Sequence, residues 1–138
     1  NRLFNLLGKT LSILSEPDIE LNTVIRAFEL KFLLYTGYTP HLTNCVNCNN
    51  QQESKWMFSP KEGGILCNKC HSLDYNAIKI SDYTLKLAKF LIAKDIKEIQ
   101  KLKISSFLNN ELAKVLKEYI FVHINKHRFK SLDIIEKI

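Results

Sequence analysis

Four cysteines in two pairs constrain the fold of this chain more than any other feature. Cys45 and Cys48 form one C-x-x-C pair, Cys67 and Cys70 form a second, and 18 residues separate the pairs. This spacing is typical of a zinc site, because each two-residue gap allows a tight turn that points two thiolates at one ion. Four thiolates fill the tetrahedral shell and leave no position for water or substrate. The pattern therefore predicts one structural Zn²⁺ bound by these four residues.

The residues alone leave other roles for the cysteines open. Two disulfides would need an oxidising compartment, and the sequence shows no secretory signal. A redox-active C-x-x-C pair would need a thioredoxin-like strand-to-helix setting, which the flanking residues lack. Four thiolates can also hold an iron–sulfur cluster, although the spacing fits a zinc ribbon better. His71 is a fifth candidate ligand, but four suitably spaced thiols make it unnecessary.

Apolar residues recur three and four positions apart on both sides of the cysteine region, which predicts helices. Gly37 is placed to end the second helix, and Ser81 is placed to cap the third. Lys94 and Asp95 are a candidate break within the third helix. The predicted helices cover residues 3–15, a segment that starts around Pro17 and ends at Gly37, residues 81–104, and residues 107–127.

The helical period disappears in the cysteine region, where two short strands are predicted at residues 55–58 and 64–66. The expected fold class is mostly α, a helical bundle with a four-cysteine zinc-knuckle or ribbon insertion. The expected parts are helices in 1–41, the zinc-binding insertion in 42–76, and helices that complete the bundle in 77–138. Because the chain begins without Met and is amphipathic from its third residue, we expect it to be the interior of a longer polypeptide.

The net charge of +6 suits a polyanionic partner, although an excess of Lys can also be a bias of composition. Residues 1–78 carry equal numbers of basic and acidic side chains, so the whole excess lies in residues 79–138. Four zinc-bound thiolates would add negative charge to the first half. A polyanion is therefore expected at the C-terminal helices. No apolar run approaches the roughly 20 residues that a membrane-spanning helix needs.

Two stretches of this sequence resemble the bacterial DNA repair mediator RecO. The first is FELKFL, residues 28–33, followed by GYTP, residues 37–40, and the first cysteine pair. The second is FSPKEGGILC, residues 58–67, which leads into Cys70. The closing KHRFKSL, residues 126–132, is similar to the basic C-terminal signature of the family. The resemblance covers essentially the whole chain.

The resemblance implies a protein of recombinational DNA repair in the bacterial cytoplasm, associated with the nucleoid. RecO proteins bind single- and double-stranded DNA, anneal complementary strands, and act with RecR to help RecA replace single-strand-binding protein (SSB). The family has an N-terminal OB-fold ahead of the helical, zinc-binding part, and this chain corresponds only to the latter. Some members lack the cysteines, which favours a structural role for the metal.

The candidate DNA-binding residues lie in two groups. If residues 83–102 form one helix, Lys86, Lys89 and Lys97 share a face with Lys94 and Lys101, and phosphates can bind along it without sequence preference. The alternative is a solvated face of an amphipathic helix. The second group is Lys126, Arg128 and Lys130, whose alternative role is pairing with a helix C-terminus.

The SSB tail is acidic and ends in Phe, and the resemblance implies a hydrophobic notch with a basic rim to receive it. Arg26, Lys31, Lys114 and Lys117 are candidates for that rim. No Ser/His/Asp, Cys/His or paired-carboxylate arrangement stands out, so the chain is interpreted as non-enzymatic. The alternative function is a zinc-stabilised protein-interaction module with no direct DNA contact. A weaker alternative is a zinc-ribbon accessory of transcription or translation.

Overall fold

A computed structural model describes residues 1–136, with side-chain surroundings described for residues 1–126. Helices flank a small antiparallel sheet and a four-cysteine cluster, which confirms the predicted fold class. The sheet and the cysteines lie between the second and third helices of the chain. In chain order the elements are α1 (Arg2–Leu14), α2 (Leu21–Tyr35), β1 (Trp56–Ser59), β2 (Gly64–Leu66), β3 (Ile78–Ile80), α3 (Asp82–Ala93), α4 (Ile96–Ile99) and α5 (Ser106–Glu136).

The start of α2 differs from the prediction. The helix begins at Leu21, not near Pro17, because Asp18 adopts a left-handed backbone conformation with φ of 62°. The backbone N–H of Glu20 then donates to the carbonyl of Gln100 at 2.8 Å. The start of α2 is therefore held by a contact with a residue 80 positions away in the sequence, and not by the nearby Pro and acidic residues.

The end of α2 is the predicted one. Gly37 has φ of 83°, which suits glycine, and its N–H donates to the carbonyl of Leu34. The N–H of Tyr38 donates to the carbonyl of Leu33 at 2.8 Å. This pair of bonds is a Schellman motif, which satisfies the last helical carbonyls. The confirmed cap fixes where the chain leaves the bundle for the cysteine region.

The central helix of the bundle is α2, which contacts α1, α3, α4 and α5. Its buried face includes Val24, Ala27 and Leu30, none of which is exposed to solvent. Burial of this face supplies the hydrophobic stabilisation that a helix of this length needs. Lys31 also lies on this face and is only 5% exposed. Its ammonium donates to the carbonyl of Ile92 at 3.0 Å, so it caps the C-terminal end of α3.

The sheet has the strand order β2–β1–β3, and both pairs are antiparallel. Strands β1 and β2 lie within one residue of their predicted positions. The third strand, β3, was not predicted, and it lies beyond residue 76, where the insertion was expected to end. Met57 in the central strand pairs with Leu66 on one side and with Lys79 on the other. The sheet therefore joins the cysteine region directly to the start of α3.

The segment predicted as one helix over residues 81–104 is divided. Ser81 caps α3 as predicted, with its hydroxyl accepting from the N–H of Thr84. The helix stops at Ala93 because Lys94 takes an extended conformation, and Asp95 then caps the four-residue α4 by accepting from the N–H of Lys97. The final helix, α5, is longer than predicted and continues to Glu136. No helix among the described residues is long and apolar enough to cross a membrane.

Candidate metal centre

The first cysteine pair lies in a turn that is held against the edge of β2. The N–H of Val46 donates to the carbonyl of Ile65 at 3.0 Å, and the N–H of Ile65 donates to the carbonyl of His41 at 3.0 Å. The N–H of Asn49 returns to the carbonyl of Cys45, and Asn49 has φ of 64°, a conformation that Asn tolerates better than most residues. The turn thereby points both thiols of the pair toward β2.

The second pair follows β2 directly. Cys67 comes immediately after Leu66, and the N–H of Cys70 donates to the carbonyl of Cys67 at 3.0 Å, which closes the second turn. A carboxylate oxygen of Glu53 accepts from the N–H of Asn68 at 2.9 Å inside this turn. That hydrogen bond is the largest of the effects that lower the pKa of Glu53. Strand β2 therefore leads directly into the second cysteine turn, and it forms backbone hydrogen bonds with the segment that contains the first.

The four thiols meet in one cluster, as the spacing predicted. Their Sγ atoms all lie within 4.8 Å of one another, and the Sγ atoms of Cys48 and Cys67 are 3.5 Å apart. A tetrahedral zinc site with Zn–S bonds of about 2.3 Å has sulfur–sulfur edges of about 3.8 Å, so the cluster fits that ion. The cysteines are free thiols rather than disulfides, and all but Cys48 are buried. His71 is exposed and is not a member of the cluster.

The electrostatics of the cluster require a cation for full ionisation. Burial raises the pKa of Cys45, but backbone N–H groups, first that of Cys48, outweigh it and lower that pKa to about 6. The side-chain amide of Asn47 lowers the pKa of Cys70, but burial and the neighbouring thiols raise it to about 12. The surroundings thus shift the pKa values of these two thiols in opposite directions. Four thiolates this close repel one another unless a metal ion neutralises them.

Asn47 and Gly64 are site residues that the sequence analysis missed. Asn47 lies between the first two cysteines, and its Nδ2 donates to the Sγ of Cys70 at 3.3 Å, across the cluster. Such hydrogen bonds orient thiolate ligands and tune a metal site. A Cβ built on Gly64 would lie 2.5 Å from the carbonyl oxygen of His41 and 2.6 Å from Cγ1 of Val46. Glycine is therefore the residue that allows the first turn to approach β2.

The predicted lysine stripe is not continuous, because α3 and α4 are separate helices. Lys86 and Lys89 are exposed on α3, whereas Lys97 is exposed on α4. Lys86 also pairs with Asp82 at 3.0 Å, although both side chains are largely exposed and such a pair is weak. In the second group, Lys126 is exposed on α5. The side chains of Arg128 and Lys130 lie outside the described residues.

The four predicted rim residues are divided among three places. Arg26 and Lys117 line an open groove of about 470 Å³ between α2 and α5, whose other walls include Phe121 and Ile124. Lys114 lines a neighbouring cavity between α5 and the sheet. Lys31 is buried at the end of α3 and cannot belong to a rim. In the groove, Arg26 pairs with Glu29 at 2.5 Å, and burial is the main reason that the pKa of Glu29 is raised.

Comparison with known proteins gives one consistent result. The family model described as "Recombination protein O C terminal" matches residues 1–133. The DNA repair protein RecO of Alkaliphilus metalliredigens is 53% identical over 138 residues, which are 100% of this chain and 56% of that protein. The RecO proteins of Desulforamulus reducens and Caldicellulosiruptor saccharolyticus are 32% and 35% identical over 99% and 84% of this chain, and 52% and 46% of their own lengths. The chain thus spans about half the length of these curated relatives. No solved structure matches.

Proposed function

This chain belongs to the RecO family, and on that premise we propose that it is the helical, metal-binding part of a DNA repair and recombination mediator. The observation that carries the proposal is the match to DNA repair protein RecO over the full chain at 53% identity. In this role the chain binds single- and double-stranded DNA, supports strand annealing, and acts with RecR in loading RecA onto SSB-coated DNA. It works by binding and not by catalysis, in the cytoplasm at the nucleoid.

We propose that the cluster of Cys45, Cys48, Cys67 and Cys70 binds one Zn²⁺. The supporting observations are the all-thiol donor set and its tetrahedral size. An ion there would neutralise the thiolates and fix the two turns on β2, and it would not take part in a reaction. The direct test is metal analysis of the purified protein, followed by replacement with Co²⁺, whose absorption spectrum reports four sulfur ligands. A substoichiometric metal content, or a spectrum with oxygen or nitrogen ligands, contradicts the assignment.

For DNA we propose that Lys86, Lys89, Lys97 and Lys126, with Arg128 and Lys130, contact phosphates. Support comes from the exposure of the four described lysines and from the excess of basic residues in 79–138. Contacts of this kind release counterions, so affinity falls steeply with salt and depends little on sequence. The site is then a diffuse basic surface across α3, α4 and α5, and not a pocket.

A matched pair of triple variants tests this surface. In the first, Lys86, Lys89 and Lys97 become Gln; in the second, three exposed lysines of the cysteine region, Lys55, Lys61 and Lys69, become Gln. Both remove the same charge. Fluorescence anisotropy with a labelled single strand should show that the first set flattens the salt dependence by about two units of log–log slope, while the second changes it little. Equal effects of the two sets would show that only net charge matters and would refute the proposed surface.

The protein-interaction function is kept as a second candidate because of the groove between α2 and α5. Its walls are mainly apolar, with Phe121 and Ile124 exposed, and its rim carries Arg26 and Lys117. This combination suits an acidic peptide that ends in an aromatic residue, and we propose the SSB tail as its ligand. Lys117→Glu should abolish binding of a tail peptide in anisotropy, whereas Lys61→Glu, an equal charge change outside the groove, should not. Tail binding without any DNA binding would favour the pure interaction module.

A further inference from the structure

The outer side of α3 carries a row of side chains, here called the α3 row, in which aromatic and basic residues alternate. The row consists of Tyr83, Lys86, Phe90 and Lys94, which follow one another three and four positions apart. At about 100° per residue, its three helical members fall within one narrow sector of the helix. That sector lies opposite the buried face, which contacts α2 and α5. The α3 row therefore points to solvent along the whole helix.

The two rings of the row are exposed to different degrees. Tyr83 is 73% exposed and Phe90 is 43% exposed. A single exposed apolar side chain is ordinary on a folded protein, so exposure alone assigns no role to either ring. The informative feature is that each ring lies beside lysines, because proteins that bind single-stranded nucleic acid combine stacking rings with a basic track for the backbone.

The two lysines of the row are placed next to its rings. Lys86 lies one turn after Tyr83, and its side chain is 70% exposed. Its pair with Asp82, at 3.0 Å, is also exposed, so a phosphate can compete for the ammonium. Lys94 follows the end of α3, and its extended backbone lets the side chain return over Phe90, with Nζ 5.9 Å from the ring centroid. Each ring thus has an ammonium group beside it.

The spacing of the rings suits one nucleic-acid strand. Tyr83 and Phe90 are seven residues apart, which is about 10 Å along the helix axis. Three steps of a stacked strand, at about 3.4 Å each, cover the same distance. Both rings can therefore stack on bases of the same strand while Lys86, between them, meets a phosphate. In a duplex each base is paired and covered on both faces by its neighbours, so a ring can stack only on an unpaired base.

We propose that Tyr83 and Phe90 stack on unpaired bases and give the basic surface of α3, α4 and α5 its preference for single-stranded over duplex DNA. Lys86 and Lys94 bind the phosphates that flank the stacked bases. The inference rests on the proposed DNA-binding function and adds to it the residues that distinguish the two forms of DNA. The occupant of the α3 row is thus a flexible single strand, for which the lysines supply the complementary charge.

The test measures the affinity of the 138-residue chain for a labelled single strand and for the duplex made from it, by fluorescence anisotropy. Tyr83→Leu and Phe90→Leu remove the flat ring and keep an apolar side chain that suits a helix. Each should weaken single-strand binding about fivefold or more, and duplex binding by less than about twofold. The salt dependence should stay the same, because no charge is removed. Tyr75→Leu is the matched control, since this ring is 94% exposed but lies outside α3, and it should change neither affinity.

Two further variants separate stacking from charge. Tyr83→Trp retains a flat ring and should keep the single-strand affinity of the parent. Lys86→Gln should weaken binding of both forms of DNA and flatten the salt dependence of both.

Two outcomes would overturn the proposal. One is a chain that binds DNA but whose ratio of single-strand to duplex affinity is unchanged by Tyr83→Leu and Phe90→Leu; this result would leave the proposed function standing. The other is an equal loss of single-strand affinity in Tyr75→Leu, which would show that the position of the ring is irrelevant. A parent chain that binds neither form of DNA would instead refute the proposed DNA-binding function itself, and this inference with it.

Discussion

Replacement of Gly64 by alanine is the sharpest test of how the cysteine cluster is built. The new methyl group would lie 2.5 Å from the carbonyl oxygen of His41, a backbone atom that no side-chain rotation can move. Relieving an overlap of this size costs about 1–3 kcal/mol. It also pulls the first turn off β2 and strains the bond from the N–H of Ile65 to His41, worth about 1 kcal/mol. We expect Gly64→Ala to lower the free energy of unfolding by about 2–4 kcal/mol.

Two other glycines provide matched controls for the same substitution. Gly63 has φ of 80° and open space around it, so Gly63→Ala isolates the cost of a left-handed backbone, about 1 kcal/mol. Gly8 lies inside α1 with nothing within 4 Å of a built Cβ, so Gly8→Ala should stabilise by about 0.5–1 kcal/mol. Urea unfolding of the metal-loaded protein measures all three changes.

A competition assay with a chelator should show, in addition, that Gly64→Ala lowers metal affinity at least about tenfold, while Gly63→Ala and Gly8→Ala change it less. The reason is geometric, since the displaced segment leads into Cys45 and β2 leads into Cys67. If Gly64→Ala destabilises the protein no more than Gly63→Ala does, the close approach of β2 to His41 does not require glycine at position 64.

Three further outcomes follow from the same structure. Tyr119→Phe removes a 2.7 Å hydrogen bond to the carbonyl of Tyr38 and should cost about 1 kcal/mol at pH 8. Because burial raises the pKa of Tyr119 from 10.0 to about 12, the parent loses up to about 3 kcal/mol as pH rises from 10 to 12. The phenylalanine variant lacks this loss, so by pH 11.5 it should be more stable to urea than the parent. If the parent is still the more stable protein at that pH, the raised pKa of Tyr119 is contradicted. Asn47→Ala should weaken metal affinity by about 10–100-fold with little change in helix content, and an unchanged affinity in chelator competition would exclude its ligand-orienting role. Chelation should shift the fluorescence of Trp56, the sole tryptophan, to longer wavelength while most far-UV helix signal remains, whereas loss of both together would show that the bundle needs the metal.

The sequence predicted those features that local chemistry determines. The cap at Ser81 and the Schellman motif at Gly37 each need a few adjacent residues, and both are present. The cysteine cluster was predictable for the same reason, since two short turns with a fixed spacing define it. Segments of regular periodicity, such as α1, were located to within a residue or two.

Features that depend on distant contacts were not predictable in this way. The backbone of Gln100 binds the start of α2, and the three residues of β3 form a strand because Trp56, Met57 and Phe58 pair with them. Lys31 was predicted to lie on the surface, but its ammonium is buried and donates to the carbonyl of Ile92 at the end of another helix. In each case the partner comes from a remote part of the chain, and no local pattern contains it.

The cysteine cluster and the helical bundle are connected through one line of contacts. Cys67 follows β2, which pairs with β1, and Phe58 of β1 packs edge-on against Tyr119 of α5, with ring centroids 5.7 Å apart. Tyr119 in turn binds the carbonyl of Tyr38, just after α2. These contacts connect the cluster to α5 and to the end of α2, the two helices that form the groove of Arg26 and Lys117. Metal binding and groove geometry should change together, although the thiols themselves contact neither DNA nor peptide in the function proposed here.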